Sequence, residues 1–195
     1  SSTEASASHE KLSRMLMNHT RGDVLKYSDC DADVQGTEGF CNAVDSLIMG
    51  LKDGTLVAPR LENTDFANSV MCSVYPGAAS RYIKHTDNSL ISDGRRLTTL
   101  LYLNRGWQQE FGGKLRIFEP TMQSTRIKTE VEPLWNRLLI FWSTDEVPHE
   151  VLSAFRDRAA ASVWYICAKE SLQTEDAFKR VLTKCRCIGQ QDKGA

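Results

Sequence analysis

The chain has 195 residues, 41% hydrophobic and 25% charged, which is enough apolar material for one domain with a buried core. A formal net charge of −1 lacks the basic footprint of a broad nucleic-acid binder, and no apolar run approaches the ~20 residues needed for a membrane-spanning helix. The six cysteines (Cys30, Cys41, Cys72, Cys167, Cys185 and Cys187) form no C-x-x-C pair, and in a chain this long they read as free thiols of a reducing compartment.

Residues 1–10 are Ser/Ala-rich and read as a disordered leader; residues 11–195 are expected to form a single domain. The start carries no charged-then-apolar signal segment, so a cytoplasmic, and also nuclear, location is expected. Leu12, Met15 and Leu16 suggest a short helix over Lys11–Asn18, and Arg21-Gly22-Asp23 reads as a turn. The clearest helical pattern runs from Thr37 to Lys52. Phe40, Val44, Leu47, Ile48 and Leu51 share one face, Thr37 can cap the start and Gly54 can end it. From Ser69 onward the texture becomes short β-branched, aromatic and leucine-rich runs: Ser69–Tyr75, Arg81–His85, Leu97–Leu103, Leu115–Phe118, Leu138–Trp142 and Ser162–Ala168. Turn signals such as Pro76-Gly77, Asp93-Gly94 and Gly112-Gly113 separate them. A last helix is expected over 174–182, where Phe178, Val181 and Leu182 cluster. The simplest architecture is mostly β: a jelly roll over about 69–168, supported by the helix at 37–52 and flanked by the C-terminal one. No internal repeat is visible.

Chemistry concentrates in few residues. His85 and Asp87, two apart at the end of a strand-like run, point the same way and can grip one metal ion. His149, opening the run His149-Glu150-Val151-Leu152, is the best third ligand, since His9 and His19 sit in the polar leader. Two imidazoles and one carboxylate leave three coordination positions open, the facial arrangement of non-haem Fe(II) oxygenases, whereas a structural zinc site is closed by four ligands. His-x-Asp alone is a common pattern, and polar residues at strand ends would also produce it. Arg158, nine positions after His149, can bind a carboxylate bidentately, or can pair with Asp157 or Glu150. Tyr102 shares a strand face with Thr98 and Leu100. Its hydroxyl can donate to the same carboxylate, or it is a half-buried strand tyrosine. Tyr75 and Tyr82 read as core aromatics.

Longer stretches add to these residues. They are Tyr75-Pro76-Gly77, Tyr82-Ile83-Lys84-His85-Thr86-Asp87-Asn88, Asp93-Gly94-Arg95, Tyr102-Leu103-Asn104, Gly112-Gly113-Lys114-Leu115-Arg116-Ile117-Phe118, Arg137-Leu138-Leu139-Ile140-Phe141-Trp142-Ser143, Pro148-His149-Glu150-Val151, Arg158 and Val163-Trp164-Tyr165. In this order, over roughly residues 70–168, the chain resembles the 2-oxoglutarate-dependent prolyl 4-hydroxylases. The subgroup is the one acting on hypoxia-inducible factor or, in protists, on the adaptor of SCF ubiquitin ligases. The resemblance implies a double-stranded β-helix of the 2-oxoglutarate oxygenase type. It implies Fe(II) held by His85, Asp87 and His149, with 2-oxoglutarate and dioxygen as cosubstrates and ascorbate as reductant. Arg158 would pair with the distal carboxylate of 2-oxoglutarate, Tyr102 would hydrogen-bond to it, Tyr75 would lie over it, and Leu100, Leu115 and Val151 would line its pocket. Arg95, Trp164 and Tyr82 would contact the substrate. That substrate would be a proline of an intracellular protein, hydroxylated with release of succinate and carbon dioxide by a monomeric enzyme. An oxygen-sensing role is implied with it.

The collagen-type enzymes usually carry lysine where Arg158 stands, which points to the intracellular branch. Two departures bear on substrate choice. Leu152-Ser153 replaces a proline-containing turn, and the segment before Gly36, a substrate-gripping loop in the family, matches only around Arg21-Gly22-Asp23. The competing readings are an oxygenase of the same fold with another substrate, a jelly roll that binds a peptide without catalysis, and a zinc-binding cupin.

Overall fold

A computed structural model describes residues 26–31, 38–53, 56–66, 69–88 and 94–167. The elements in chain order are β1 (Lys26–Asp31), α1 (Glu38–Lys52), α2 (Ala58–Leu61), β2 (Thr64–Phe66), β3 (Ser69–Tyr75), β4 (Ser80–His85), β5 (Arg95–Tyr102), β6 (Leu115–Phe118), β7 (Ile127–Val131), β8 (Leu138–Trp142), β9 (His149–Ala154) and β10 (Arg158–Cys167). The expected leader, the helix over 11–18, the turn at 21–23, the capping Thr37 and Gly54, the helix over 174–182, and Cys185 and Cys187 lie outside the described residues.

Among the described residues all strand pairing is antiparallel, in two sheets. The first has the order β1-β3-β10-β5-β8, with β2 also on β10, and the second has the order β4-β9-β6-β7. From β3 to β10 the chain crosses repeatedly from one sheet to the other, which is the winding of a jelly roll. Such a winding wraps the two sheets around one shared interior.

Strand alternation gives the first sheet two different faces. One face carries Val70, Leu97, Ala161, Val163 and Tyr165 against Cys41, Val44 and Ile48 of α1 and Leu61 of α2. Cys41, Val44 and Ile48 fall at i, i+3 and i+7, so α1 lies on the sheet along one stripe. The stripe is rotated from its expected position, because Cys41 is buried while Leu47 is 44% exposed. The opposite face turns inward to the second sheet. There Tyr75, Leu115 and Val151 are buried, with Tyr82, Leu100, Ile117, Val131 and Leu139 packed around them. Cys41 and Cys167 are free thiols.

Candidate active site

The two sheets bring separate groups of side chains into this interior. β4 and β9 are neighbours in the second sheet, and their register sets His85 opposite His149. The strand ends at His85, so Asp87 sits in the bend just past it rather than two places along a regular strand. Even so, Asp87 Oδ1 lies 3.6 Å from His85 Nε2 and 3.7 Å from His149 Nε2. The ligating atoms of the three residues all fall within 4.8 Å of one another.

The surroundings ready each group for a cation. His85 Nδ1 faces the Ile83 carbonyl at 2.8 Å, and His149 Nδ1 faces the Val147 carbonyl at 2.9 Å. A carbonyl only accepts, so each Nδ1 carries the proton and each Nε2 keeps its lone pair for a metal. Burial, reinforced by the neighbouring His85, pushes the His149 imidazole down to about 4 against the opposing pull of Asp87, so the ring is neutral near pH 7. Burial would raise the Asp87 carboxyl. The imidazoles of His149 and His85 and the Thr98 hydroxyl outweigh it and hold Asp87 well below the usual carboxylate range. Thr98 Oγ1 donates to Asp87 Oδ2 at 2.6 Å. The Phe141 ring meets His149 edge-on at 5.1 Å between centroids and walls the site on the side of the first sheet.

Arg158 and Tyr102 stand on the first sheet, farther along the interior. On β5, Thr98, Leu100 and Tyr102 share the inward face, so Tyr102 lies about 13 Å along the strand from the hydroxyl that holds Asp87. Arg158 opens β10 opposite Tyr75 of β3, and Tyr102 pairs with the nearby Ala160. Arg158 is 1% exposed and Tyr102 is fully buried. The guanidinium carbon sits 5.0 Å from the Tyr75 ring centre and 4.9 Å from that of Tyr102. Nε donates to the Gly113 carbonyl at 2.8 Å. Asp157 instead accepts from the Gly77 amide, and Glu150 pairs with Arg116, so no carboxylate among the described residues neutralises Arg158.

Two buried polar atoms of this group, Arg158 Nη2 and the Tyr102 hydroxyl, have no hydrogen-bond partner. Burying donors without acceptors is costly. Burial pushes the Tyr102 phenol up despite Arg158, so it stays protonated and able to donate. Leu100, Leu115 and Val151 lie with Tyr75 in the apolar stretch between these donors and the His–Asp–His group. A small anion with a carboxylate at one end and metal-binding oxygens at the other fits both ends.

Of the residues expected to meet a substrate, Arg95 sits over the Trp164 ring with its guanidinium carbon 4.0 Å from the ring centre, and its Nη1 reaches the Asp87 carbonyl at 3.4 Å. Trp164 Nε1 is a further buried donor without a partner. Tyr82 stands elsewhere: it meets His85 edge-on at 3.9 Å and packs with the apolar residues of the interior. The sequence alone assigns Thr98, Ser143, Phe141 and Gly113 no role at the site. The one available signal was that Thr98 shares a strand face with Tyr102.

Comparison with known proteins follows the same lines. The profile of the 2OG-Fe(II) oxygenase superfamily matches residues 70–166. Human prolyl hydroxylase EGLN3 is 33% identical over 179 residues, covering 89% of this chain and 70% of that protein. Among solved structures, a Trichoplax adhaerens prolyl hydroxylase in complex with a hypoxia-inducible factor oxygen degradation domain peptide superposes with a TM-score of 0.65 at 34% identity, covering 80% of this chain and 68% of that one. A Pseudomonas putida prolyl-4-hydroxylase gives a TM-score of 0.61 at 31% identity, over 76% and 73% of the two chains.

Proposed function

Because this chain belongs to the 2OG-Fe(II) oxygenase superfamily and, within it, to the prolyl hydroxylases, we propose that it hydroxylates the 4-position of a proline in an intracellular protein, with the residues described above in named roles. His85 Nε2, His149 Nε2 and Asp87 Oδ1 hold Fe(II). Arg158 Nη2 and the Tyr102 hydroxyl take the far carboxylate of 2-oxoglutarate, while Tyr75, Leu100, Leu115 and Val151 exclude water from its body. Fe(II) held there would activate dioxygen, the oxidant, with 2-oxoglutarate giving up two electrons as it loses carbon dioxide; one oxygen atom goes to succinate and the other to the hydroxylated proline. The protein's share is to orient and to dehydrate. Gly113 fixes the guanidinium, the carbonyls of Ile83 and Val147 fix the imidazoles, and the interior keeps all of them dry.

The observation that carries this reading is the pair of unpartnered donors, Arg158 Nη2 and Tyr102 OH, buried in one interior with three convergent metal-binding atoms. Arg95 and Trp164, beside Asp87, form the wall that meets the proline-bearing peptide, with Tyr82 next to His85. The similarity to the Trichoplax enzyme, which was solved with a hypoxia-inducible factor peptide, supports a hypoxia-factor-like target over an SCF adaptor. The free thiols support a cytoplasmic or nuclear setting. Ascorbate would keep the iron reduced, and the enzyme would act as a monomer. Oxygen sensing would follow if the rate proves to depend on dioxygen across the physiological range.

The test is to incubate the Fe(II)-loaded protein with 2-oxoglutarate, dioxygen and peptides from a hypoxia-factor degradation region or an SCF adaptor, then read added oxygen by mass spectrometry. A single oxygen on one proline, with matching succinate, is the expected result. Succinate formation with no peptide oxidised, across both peptide sets, would refute the substrate assignment.

A further inference from the structure

Asp87 is held from two directions, and one residue, Ser143, lies behind both. Its carbonyl accepts the backbone N–H of Asn88 at 2.8 Å, pinning the chain directly after Asp87. Its hydroxyl lies 2.8 Å from Thr98 Oγ1, which in turn donates to Asp87 Oδ2 at 2.6 Å. Proton directions in this chain are fixed by elimination. An ionised carboxylate only accepts, so the single Thr98 proton points at Asp87 and Ser143 must donate to Thr98. Both residues are at least 98% buried. A β-branched apolar residue would fill position 98 of a strand without the cost of burying a hydroxyl. The hydroxyl therefore has a use, and its geometry shows which.

The two carboxylate oxygens of Asp87 are in different situations. Oδ2 is taken by Thr98, while Oδ1 is the oxygen lying 3.6 and 3.7 Å from the two Nε2 atoms. We infer that Thr98, its hydroxyl oriented by Ser143, confines Asp87 to one-oxygen ligation of the metal. The inference rests on the reading of His85, Asp87 and His149 as the metal ligands. It adds a positioning residue that decides how many coordination positions stay free. A one-oxygen carboxylate gives three protein donors and leaves three positions on a six-coordinate ion. 2-Oxoglutarate needs two of them for its keto and carboxylate oxygens, and one remains. A chelating Asp87 would occupy that remaining position or expel one cosubstrate oxygen.

The experiment uses the full chain loaded with Mn(II), which resists oxidation, and needs no turnover. The dissociation constant for 2-oxoglutarate is measured by calorimetry, and the number of Asp87 oxygens on the metal is read from crystals of the loaded protein. The variants are Thr98→Val, Thr98→Ser and Thr98→Ala, the last removing the hydroxyl without setting a methyl against the carboxylate should the valine variant fail to fold. Wild type and Thr98→Ser are expected to show one Asp87 oxygen on the metal and equal affinities. Thr98→Val and Thr98→Ala are expected to show two oxygens and to bind 2-oxoglutarate about tenfold or more weakly, the usual scale of effect for a partner of a metal ligand. Ser143→Ala, which frees the Thr98 proton to rotate away, gives a smaller weakening in the same direction. A folded Thr98→Val or Thr98→Ala protein with one Asp87 oxygen and wild-type affinity would overturn the inference while leaving the metal assignment intact. Failure of the wild type to take up Mn(II) would overturn the metal assignment, and the inference with it.

Discussion

Arg158 illustrates how a single residue can be arranged for a ligand. A buried guanidinium normally keeps a carboxylate beside it. Here Nε is spent on the Gly113 carbonyl, two tyrosine rings flank the cation, and Nη2 has no acceptor. Removing such a charge from a ligand's buried carboxylate typically costs about 2–5 kcal/mol. Arg158→Ala is therefore expected to weaken 2-oxoglutarate by about 30-fold or more while leaving metal uptake unchanged. Tyr102→Phe removes one hydrogen bond to a charged group, and about a tenfold loss is expected. Titration of Mn(II)-loaded variants with 2-oxoglutarate checks both. An Arg158→Ala protein with wild-type affinity would remove Arg158 from the cosubstrate site. Asp87→Ala should show the complementary pattern, with metal uptake lost before any question of cosubstrate arises.

Among the elements, α1 and the outer face of β10 support the interior without lining it. Ile48 is fully buried against the outer face of the first sheet. Ile48→Ala should cost about 2–5 kcal/mol, read as a lower urea midpoint, with 2-oxoglutarate affinity of the remaining folded protein unchanged. Tyr165, on the same face of β10, donates to Asp45 of α1 at 3.1 Å, and burial followed by the Asp45 charge pushes its phenol above the ordinary value. The sign follows from that direction. An acid whose folded value is raised contributes stability that is fully present below its unfolded value of about 10 and is lost as pH climbs past it. Urea unfolding above about pH 10 should therefore show the wild type weakening faster with pH than Tyr165→Phe, which at neutral pH is lower by only about 1 kcal/mol.

Strand texture made most of these elements legible. Ser69–Tyr75, Leu115–Phe118 and Leu138–Trp142 are strands with the bounds their composition suggests. β10 begins four residues before the expected Ser162, because Ala159–Ala161 have little β preference of their own and are held by neighbours on both sides. β1 and β2 are polar or very short, and β7 is exposed along most of its length, so none offered the apolar signal that marks a strand. The metal ligands and Arg158 could be named because their chemistry is unusual. Thr98 and Ser143 could not, since a hydroxyl in a strand acquires meaning only when pairing between strands shows what it faces.

At the scale of the whole molecule, the two ends of the site come from different layers. His85 and His149 belong to the second sheet, with Asp87 just past β4, while Tyr102 and Arg158 belong to the first. A ligand that binds only the folded arrangement stabilises it by mass action, about 2.7 kcal/mol at a hundred times its dissociation constant. Mn(II) and 2-oxoglutarate together should raise the melting temperature more than Mn(II) alone, and 2-oxoglutarate without metal should do little. Scanning calorimetry of the three samples decides it. The divided origin of the site has a mechanical corollary. A cosubstrate tethered at one end to each layer is a crossbeam, and it resists their sliding as well as their separation. With 2-oxoglutarate bound as proposed, the peptide would meet a wall already braced from within.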